Sequence, residues 1–238
     1  MLIYEALKSF RGGVVVNGVS TDFQEEQVIE ITKSKVIYNV IKRVFDIILS
    51  FISIILLSPL FLLIAVLIKL DSKGKVFYKH KRIGKNGEYI YLYKFRSMYS
   101  DSKERLEEML KDPVIRKEWE ENYKLDHDPR ITKVGAMLRK TSLDELPQLL
   151  NILTGDMSFV GPRPIIDDEI KKYGMNKDKL LSVTPGLTGW WACNGRSCKS
   201  YEDRMKLELF YVDNRSILLD IKIFIKTFIS VIKRDGAK

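Results

Sequence analysis

The stretch from Phe45 to Leu70, "FDIILSFISIILLSPLFLLIAVLIKL", constrains this chain more than any other. After Asp46 it is apolar almost without interruption until Lys69, long enough to cross a hydrocarbon core of about 30 Å as a helix of about 20 residues. A core helix of a soluble protein would keep a polar face for water, and this run offers none, so the sequence predicts a membrane-embedded segment. Lys42 and Arg43 precede it, and Lys69, Lys73, Lys75, Lys79, Lys81 and Arg82 follow. Basic flanks favour the cytoplasmic side, and here both flanks are basic. Pro59, near the middle, removes a backbone hydrogen bond and kinks a helix, while Ser58 can satisfy freed backbone groups inside lipid. The expectation is a re-entrant helix hairpin over residues 41–72 that turns at Ser58–Pro59 and leaves by the face it entered. A single crossing is the alternative.

The rest of the 238 residues suffices for one domain with a real core, residues 73–238, preceded by an appendage at residues 1–40 whose role the sequence does not reveal. A formal charge of +9 calls for an acidic partner: nucleic acid, anionic lipid or a phosphorylated substrate. Cys193 and Cys198 are too few and too close for a disulfide framework or a zinc site, which fits a reducing compartment. No export signal is expected, because residues 1–40 hold no apolar core ending in a small-residue cleavage site. His80 and His127 form no metal constellation and read as surface residues.

Local signals sketch the remaining elements. "VVVNGVST" in the appendage carries the Asn-Gly signature of a tight hairpin, and "EEQVIEI" reads as a strand or a short helix. "KVFYKHKRIGKNGEYIYLYKFRSM" reads as a hairpin, two β-rich runs around "GKNG". Residues 101–124 are charged and helical, interrupted at Pro113, and "DHDPRITKVGAMLRK" is a loop leading into a short amphipathic helix. "SILLDIKIFIKTFISVIKR" places Lys222, Lys226, Ser230 and Lys233 on one stripe of a basic amphipathic helix, which either packs on the core or lies in a membrane interface.

"TSLDELPQLLNILTGDMSFVGPRP", residues 141–164, holds the chemistry-bearing pattern. Its bland reading is a helix start: Ser142 and Glu145 form a capping box, an apolar stripe follows, and Gly155 ends the helix. Three features argue for more. Pro147 inside such a helix costs on the order of 3 kcal/mol. The turn after Gly155 returns Arg163 towards Asp144, and a helix N-terminus favours phosphate. An acid pair, an arginine and a phosphate-friendly helix end point to phosphoryl chemistry.

The ordered motifs "KRVFD", "LLSPL", "KRIGKNG", "YKFRSM", "DPRITKVG", "LRKTSLDELPQLLNILTGDMSFVGPRP", "PGLTGW", "NGR" and "YVDN" resemble the monotopic phosphoglycosyl transferases, or bacterial sugar transferases, from about Lys42 to Lys233. The resemblance implies a compact mixed α/β catalytic domain with a re-entrant membrane helix and interfacial amphipathic helices. It implies transfer of a sugar-1-phosphate from a UDP-sugar to polyprenyl (undecaprenyl) phosphate, with release of UMP, at the cytoplasmic face of a bacterial inner membrane. Nucleic acid is not an expected partner, and the oligomeric state, a homodimer included, stays open. Asp144 corresponds to the family nucleophile and Glu145 to its catalytic partner, with Mg²⁺ the expected ion because it prefers oxygen ligands. Asp144 and Glu208 are the expected metal carboxylates. Arg163, Lys94, Arg96, Arg82 and Arg130 match basic motif positions expected to contact phosphate, and Asn194 and Arg196 match a loop near the nucleotide. The chain departs from the family pattern at "WACNGR" (Trp191, Ala192, Cys193), at Thr184 and at Glu208, which bears on sugar preference.

Two rival readings stand beside this one. "DHD", Asp126 to Asp128, matches the DxD pattern of metal-dependent glycosyltransferases, which release the nucleoside diphosphate. A membrane-anchored basic adaptor without catalysis would account for the charge and the apolar segment, but not for the turns around Asp144 and Glu145.

Overall fold

The computed structural model describes residues 21–122, 125, 127–195 and 200–233, with side chains for 35–120, 125, 127–195 and 200–230. The chain divides into two units, Met1–Val40 and Ile41–Lys238. The hairpin expected at "VVVNGVST" lies outside the described residues except for Thr21, which begins a helix; "EEQVIEI" is helical. Arg196, Asp126 and Cys198 also lie outside the described residues.

Helix α1 (Thr21–Asp71) runs without interruption through Ser58 and Pro59. Pro59 has no N–H to give the carbonyl four residues earlier, and the Ser58 hydroxyl takes that place, donating to Ile55 O at 2.8 Å. The helix is continuous where the sequence suggested a turn because the serine satisfies the carbonyl that the proline leaves open. Its Lys35–Asp71 part is long and apolar enough to cross a membrane.

One stripe of α1, at helical three- and four-residue spacing, packs on the rest of the unit. The Arg43 guanidinium donates to Ile152 O (2.6 Å) and Leu153 O (2.8 Å), and Asp46 Oδ1 accepts from Phe159 N (3.0 Å). Further along, Ile64 and Ile68 join Phe95 and Leu138 in a core cluster. At the far end, Asp71 Oδ2 accepts from Val134 N (3.0 Å). The opposite stripe, including Phe45, Ile48, Phe51, Ile55, Leu56, Leu63 and Val66, is exposed.

Strands β1 (Phe77–Ile83) and β2 (Tyr89–Phe95) form the expected antiparallel hairpin, with Phe77 opposite Phe95 and Ile83 opposite Tyr89. Its turn places Asn86 at φ 57 and Gly87 at φ 83, the left-handed region that Asn and Gly tolerate best. Two charged helices follow, α2 (Ser102–Met109) and α3 (Pro113–Asn122), with Pro113 at the start of the second, where its missing N–H costs nothing. Helix α4 (Lys133–Thr141) is capped by Thr132, whose hydroxyl accepts from Gly135 N.

The central stretch departs from the single helix read in the sequence. Ser142 takes a left-handed conformation (φ 56) that ends α4 and opens a 3₁₀ turn at Leu143–Glu145; helix α5 (Gln148–Thr154) then begins after Pro147. Two expectations are corrected. The Ser142–Glu145 capping box is not formed: Ser142 makes no side-chain cap bond, and Glu145 turns to Lys94. Pro147 sits at the N-terminal boundary of α5 rather than inside it, so it costs no helical hydrogen bond and gives no argument for function. Gly155, at φ 101, ends α5 as expected.

Strand β3 (Ser158–Val160) leads into the "GPRP" turn, then come helix α6 (Asp167–Ile170), a 3₁₀ segment and helix α7 (Lys177–Leu181). Strand β4 (Gly186–Thr188) pairs in parallel with β3, Ser158 with Gly186 and Val160 with Thr188. The two loops meet backbone to backbone: a Cβ on Gly186 would lie 2.1 Å from Gly161 N, so only glycine permits this approach. The Ile83–Ile165 bridge ties the far end of the turn to the hairpin. Helix α8 (Tyr201–Asn214) carries the buried Arg204, Glu208 and Tyr211, and helix α9 (Ile217–Lys233) closes the chain.

Helix α9 faces inward with its polar stripe. Lys226 Nζ donates to Asn194 Oδ1 (3.2 Å), Thr227 pairs with Thr188, and Asp220 accepts from Lys42 and Tyr211. Leu218, Ile221, Ile225, Phe228 and Ile229 face outward and are exposed.

Candidate active site

The β1–β2 hairpin, the start of α5, the "GPRP" turn and the "GLTGW" loop border an open cleft. One wall carries Arg82, Leu92 and Lys94 from the hairpin, with Glu145 and Gln148 beside them; the other carries Arg163, Trp191 and Glu208. Strand register explains the first wall. Arg82, Leu92 and Lys94 share one face of the hairpin because Lys94 lies opposite Tyr78 and Leu92 opposite His80. The second wall exists because β3 and β4 hold the two glycine-rich loops together.

Asp144 and Glu145 sit on the 3₁₀ turn and have different surroundings. Glu145 accepts from Lys94 Nζ at 2.7 Å at the cleft edge. Asp144 is buried (9% exposed) and is not itself a lining residue. Burial raises its pKa, and Glu145 adds to that, while Lys94 and Arg139 oppose it. The cations that act on Asp144 are therefore Lys94 and Arg139, not the Arg163 that the sequence placed beside it. Arg163 lies across the cleft, its guanidinium 5.9 Å from the Trp191 ring centre and its backbone N donating to Glu208 Oε1 (3.2 Å).

The basic positions divide into two groups. Arg82 belongs with Arg163 and Lys94 on the cleft; burial first, then Arg163, brings its guanidinium down to about 10, against the pull of Glu169 at 3.7 Å. Arg96 and Arg130 have other partners. Arg96 is buried and donates to Ser72 O (2.7 Å), Lys73 O (2.6 Å) and Ser72 Oγ (2.9 Å), filling the open carbonyls at the C-terminus of α1. Arg130 is held by Asp128 through two bonds of 2.8 and 2.6 Å and lies over the Trp119 ring. Asn194 donates to Trp190 O (2.7 Å) and accepts from Lys226, which commits it to the contact between its loop and α9.

Glu208 is 1% exposed, and burial pushes its carboxyl up to about 7. His80 is half-buried rather than a surface residue. Its pKa is brought down to about 4, by burial first and then by Arg82, Lys94 and Arg163, so it adds no charge to this cationic wall near neutral pH.

The sequence reading passed over Arg139, Gln148, Glu169 and Arg204. Arg139 Nε donates to Ser97 Oγ (2.9 Å), placing a second cation behind Asp144. Gln148 follows Asp144 by four residues, a spacing that could have brought it forward had the helix been continuous. Glu169 and Arg204 are joined only by tertiary folding, at 2.8 Å.

Residues 37–234 match the bacterial sugar transferase family, and the chain belongs to that family. The undecaprenyl-phosphate galactose phosphotransferase of Salmonella typhimurium is 47% identical over 198 residues, 83% of this chain and 41% of the relative. The exopolysaccharide production protein ExoY of Rhizobium meliloti is 46% identical over 197 residues, covering 82% of this chain and 87% of its own. The UDP-glucose:undecaprenyl-phosphate glucose-1-phosphate transferase of Escherichia coli is 37% identical over 203 residues, 82% of this chain and 40% of the relative. This chain matches only about two fifths of the length of the Salmonella and Escherichia proteins.

Proposed function

We propose that this chain transfers a sugar-1-phosphate from a UDP-sugar to a polyprenyl phosphate, releasing UMP, as the first step in assembling an exopolysaccharide, capsule or related glycan. The observation that carries the reading is the Asp144–Glu145 turn set beside Lys94, at a cleft whose far wall holds Arg163. The names of the relatives add the substrate class.

In the first step an Asp144 carboxylate oxygen attacks the sugar-linked phosphorus, the bond to UMP breaks, and a phosphosugar-aspartyl ester forms. In the second, an oxygen of the polyprenyl phosphate attacks the same phosphorus and frees Asp144. Covalent catalysis divides one difficult transfer between two anions into two steps. Lys94, Arg82 and Arg163 lower the repulsion between carboxylate and diphosphate, and the partial burial of Lys94 and Arg82 makes their charges count for more than at an open surface. Glu145 is placed to position the acceptor.

On this reading Mg²⁺ is an ion shared with the substrate. Among the described residues no three His, Cys, Asp or Glu side chains converge. Mg²⁺ commonly takes one or two carboxylates and fills its other positions with phosphate oxygens and water. Asp144 would hold it, and when bound it neutralises the diphosphate. Glu208 does not fit the metal role, because the charges acting on it most strongly are the guanidinium groups of Arg204 and Arg163.

We place the chain on the cytoplasmic face of the bacterial inner membrane, with α1 inserted from that side. Arg43 near one end of the apolar run and Asp71 at the other bond to the same unit, whereas a crossing helix would carry its ends to opposite faces. The exposed apolar stripes of α1 and α9 give that unit lipid-compatible surface.

The test is nucleotide release. Detergent-purified protein is incubated with Mg²⁺, undecaprenyl phosphate and a panel of UDP-sugars, and UMP is separated from UDP. Acceptor-dependent UMP, lost in Asp144→Asn, supports the proposal. UDP would overturn it in favour of the DxD reading, which the structure disfavours because Asp128 is locked to Arg130. Neither nucleotide, across verified substrates, would leave the adaptor.

A further inference from the structure

The Glu208 side of the cleft carries polar atoms that neither packing nor phosphate chemistry accounts for. Glu208 Oε1 accepts from Arg163 N, but the fully buried Oε2 has no partner. The surrounding donors share that condition: Trp191 Nε1 and Arg204 Nε and Nη2 are all buried without a partner. Arg204 Nη1 is taken by Glu169, and its guanidinium lies 5.0 Å from the Trp191 ring centre and 5.2 Å from that of Tyr201. Glu208 and Trp191 are both residues of the cleft wall, so the cluster borders ligand space.

Burying a polar atom without a hydrogen bond is costly, and one wall holding both an acceptor and several donors in that state restricts what completes it. A phosphate would satisfy the donors but meet the Glu208 carboxyl. A metal ion would satisfy the carboxyl but meet Arg204 and Arg163. An apolar group would leave every one of these atoms unpaired. A hydroxyl both donates and accepts, and so suits such a wall.

Resting on the nucleotide-sugar reading above, we propose that Glu208 Oε2 accepts a hydrogen bond from a ring hydroxyl of the donor, with Trp191 Nε1 as a neighbouring donor. Glu208 and Trp191 then read the donor's hydroxyl pattern while Lys94, Arg82 and Arg163 handle its phosphates. Both the hexose and the ribose of a UDP-sugar present ring hydroxyls, and the experiment separates them.

Equilibrium binding to the full chain in nanodiscs would be measured with UDP-glucose, UDP-galactose, their monodeoxyhexose analogues and the 2′- and 3′-deoxyribose analogues, on wild type and Glu208→Gln. Arg163 N–H claims the amide oxygen of the glutamine, so its NH₂ falls where Oε2 was and cannot accept. One deoxy donor is expected to bind wild type roughly 10- to 100-fold more weakly than its parent, as for a lost bond to a charged or strongly polar group. The penalty is expected to shrink to within about 3-fold in Glu208→Gln, by the logic of a double-mutant cycle. The position of the missing hydroxyl identifies hexose or ribose. If Glu208→Gln does not fold, Glu208→Asp, which withdraws the oxygen, replaces it and is expected to reduce the same penalty.

Equal binding of every deoxy donor to wild type, or a penalty unchanged in the variant, would overturn the proposal and leave ordered water as the partner of these atoms. Binding of no nucleotide sugar would overturn it as well. Donor binding with the penalty but without UMP release would overturn the transfer reading and leave the hydroxyl site standing.

Discussion

Lys94 and Arg96 stand two residues apart in "YKFRSM", yet they serve different parts of the molecule. Lys94 ends in the cleft against Glu145, whereas Arg96 turns away and closes the C-terminus of α1. The same division separates Arg82 and Arg163, which line the cleft, from Arg130, which Asp128 holds in the interior. A basic residue in a motif can thus face a cleft or fill an open carbonyl. Only its partners tell which.

The two groups of side chains should respond differently to substitution. The largest effect is expected for Asp144→Asn, which should lower acceptor-dependent UMP release by roughly 10⁴-fold or more, as loss of a nucleophile does, with little change in Tm. Residual turnover near the wild-type rate would remove Asp144 from the chemistry. Next comes Arg163→Ala, expected to cost on the order of 10²- to 10³-fold in kcat, the range for losing one preorganised charge from a transition state, again with Tm nearly unchanged. A fall in Tm with kcat intact would move Arg163 into the interior group.

Arg130→Ala should behave in the opposite way. Removing one partner of this buried pair strands Asp128 and should cost about 3–5 kcal/mol of stability, read by urea denaturation in detergent, while the folded fraction keeps its KM. Full stability with lost activity would place Arg130 at the substrate after all.

The smallest effect is a dependence on pH. The folded-state pKa of Glu208, about 7, stands above its ordinary 4.5, so the folded protein binds the extra proton. The stability tied to that proton is complete below about pH 4.5 and is lost as pH rises through about 7. Glu208→Gln should therefore gain Tm relative to wild type between about pH 5 and pH 8. Parallel curves would show that Glu208 has found a partner for its second oxygen.

Much of the fold was legible because its signals are local. The apolar run, the turn in "GKNG" and Gly155 as a helix end depend on neighbours within a few residues, and the structure carries each. The stretch from Ser142 to Pro147 misled for a related reason. A capping box and an interrupted helix share nearly the same spelling, and the left-handed turn at Ser142, with Lys94 drawing Glu145 away, decided between them. Family motifs brought forward Asp144, Lys94, Arg82 and Arg163, of which the last three line one cleft, but they also brought Arg96 and Arg130, which find partners elsewhere.

By itself the sequence determined the membrane-compatible helix, the order of the elements and the acid pair with its supply of cations. Tertiary structure alone decided which cations face the cleft, that both ends of the apolar run bond to one unit, and that Glu208 is buried beside Arg204 without pairing with it. The reason is physical. Helix and turn formation are written in spacings of a few residues, whereas a charge acquires its role from partners distant in the chain and from the water that folding removes around it.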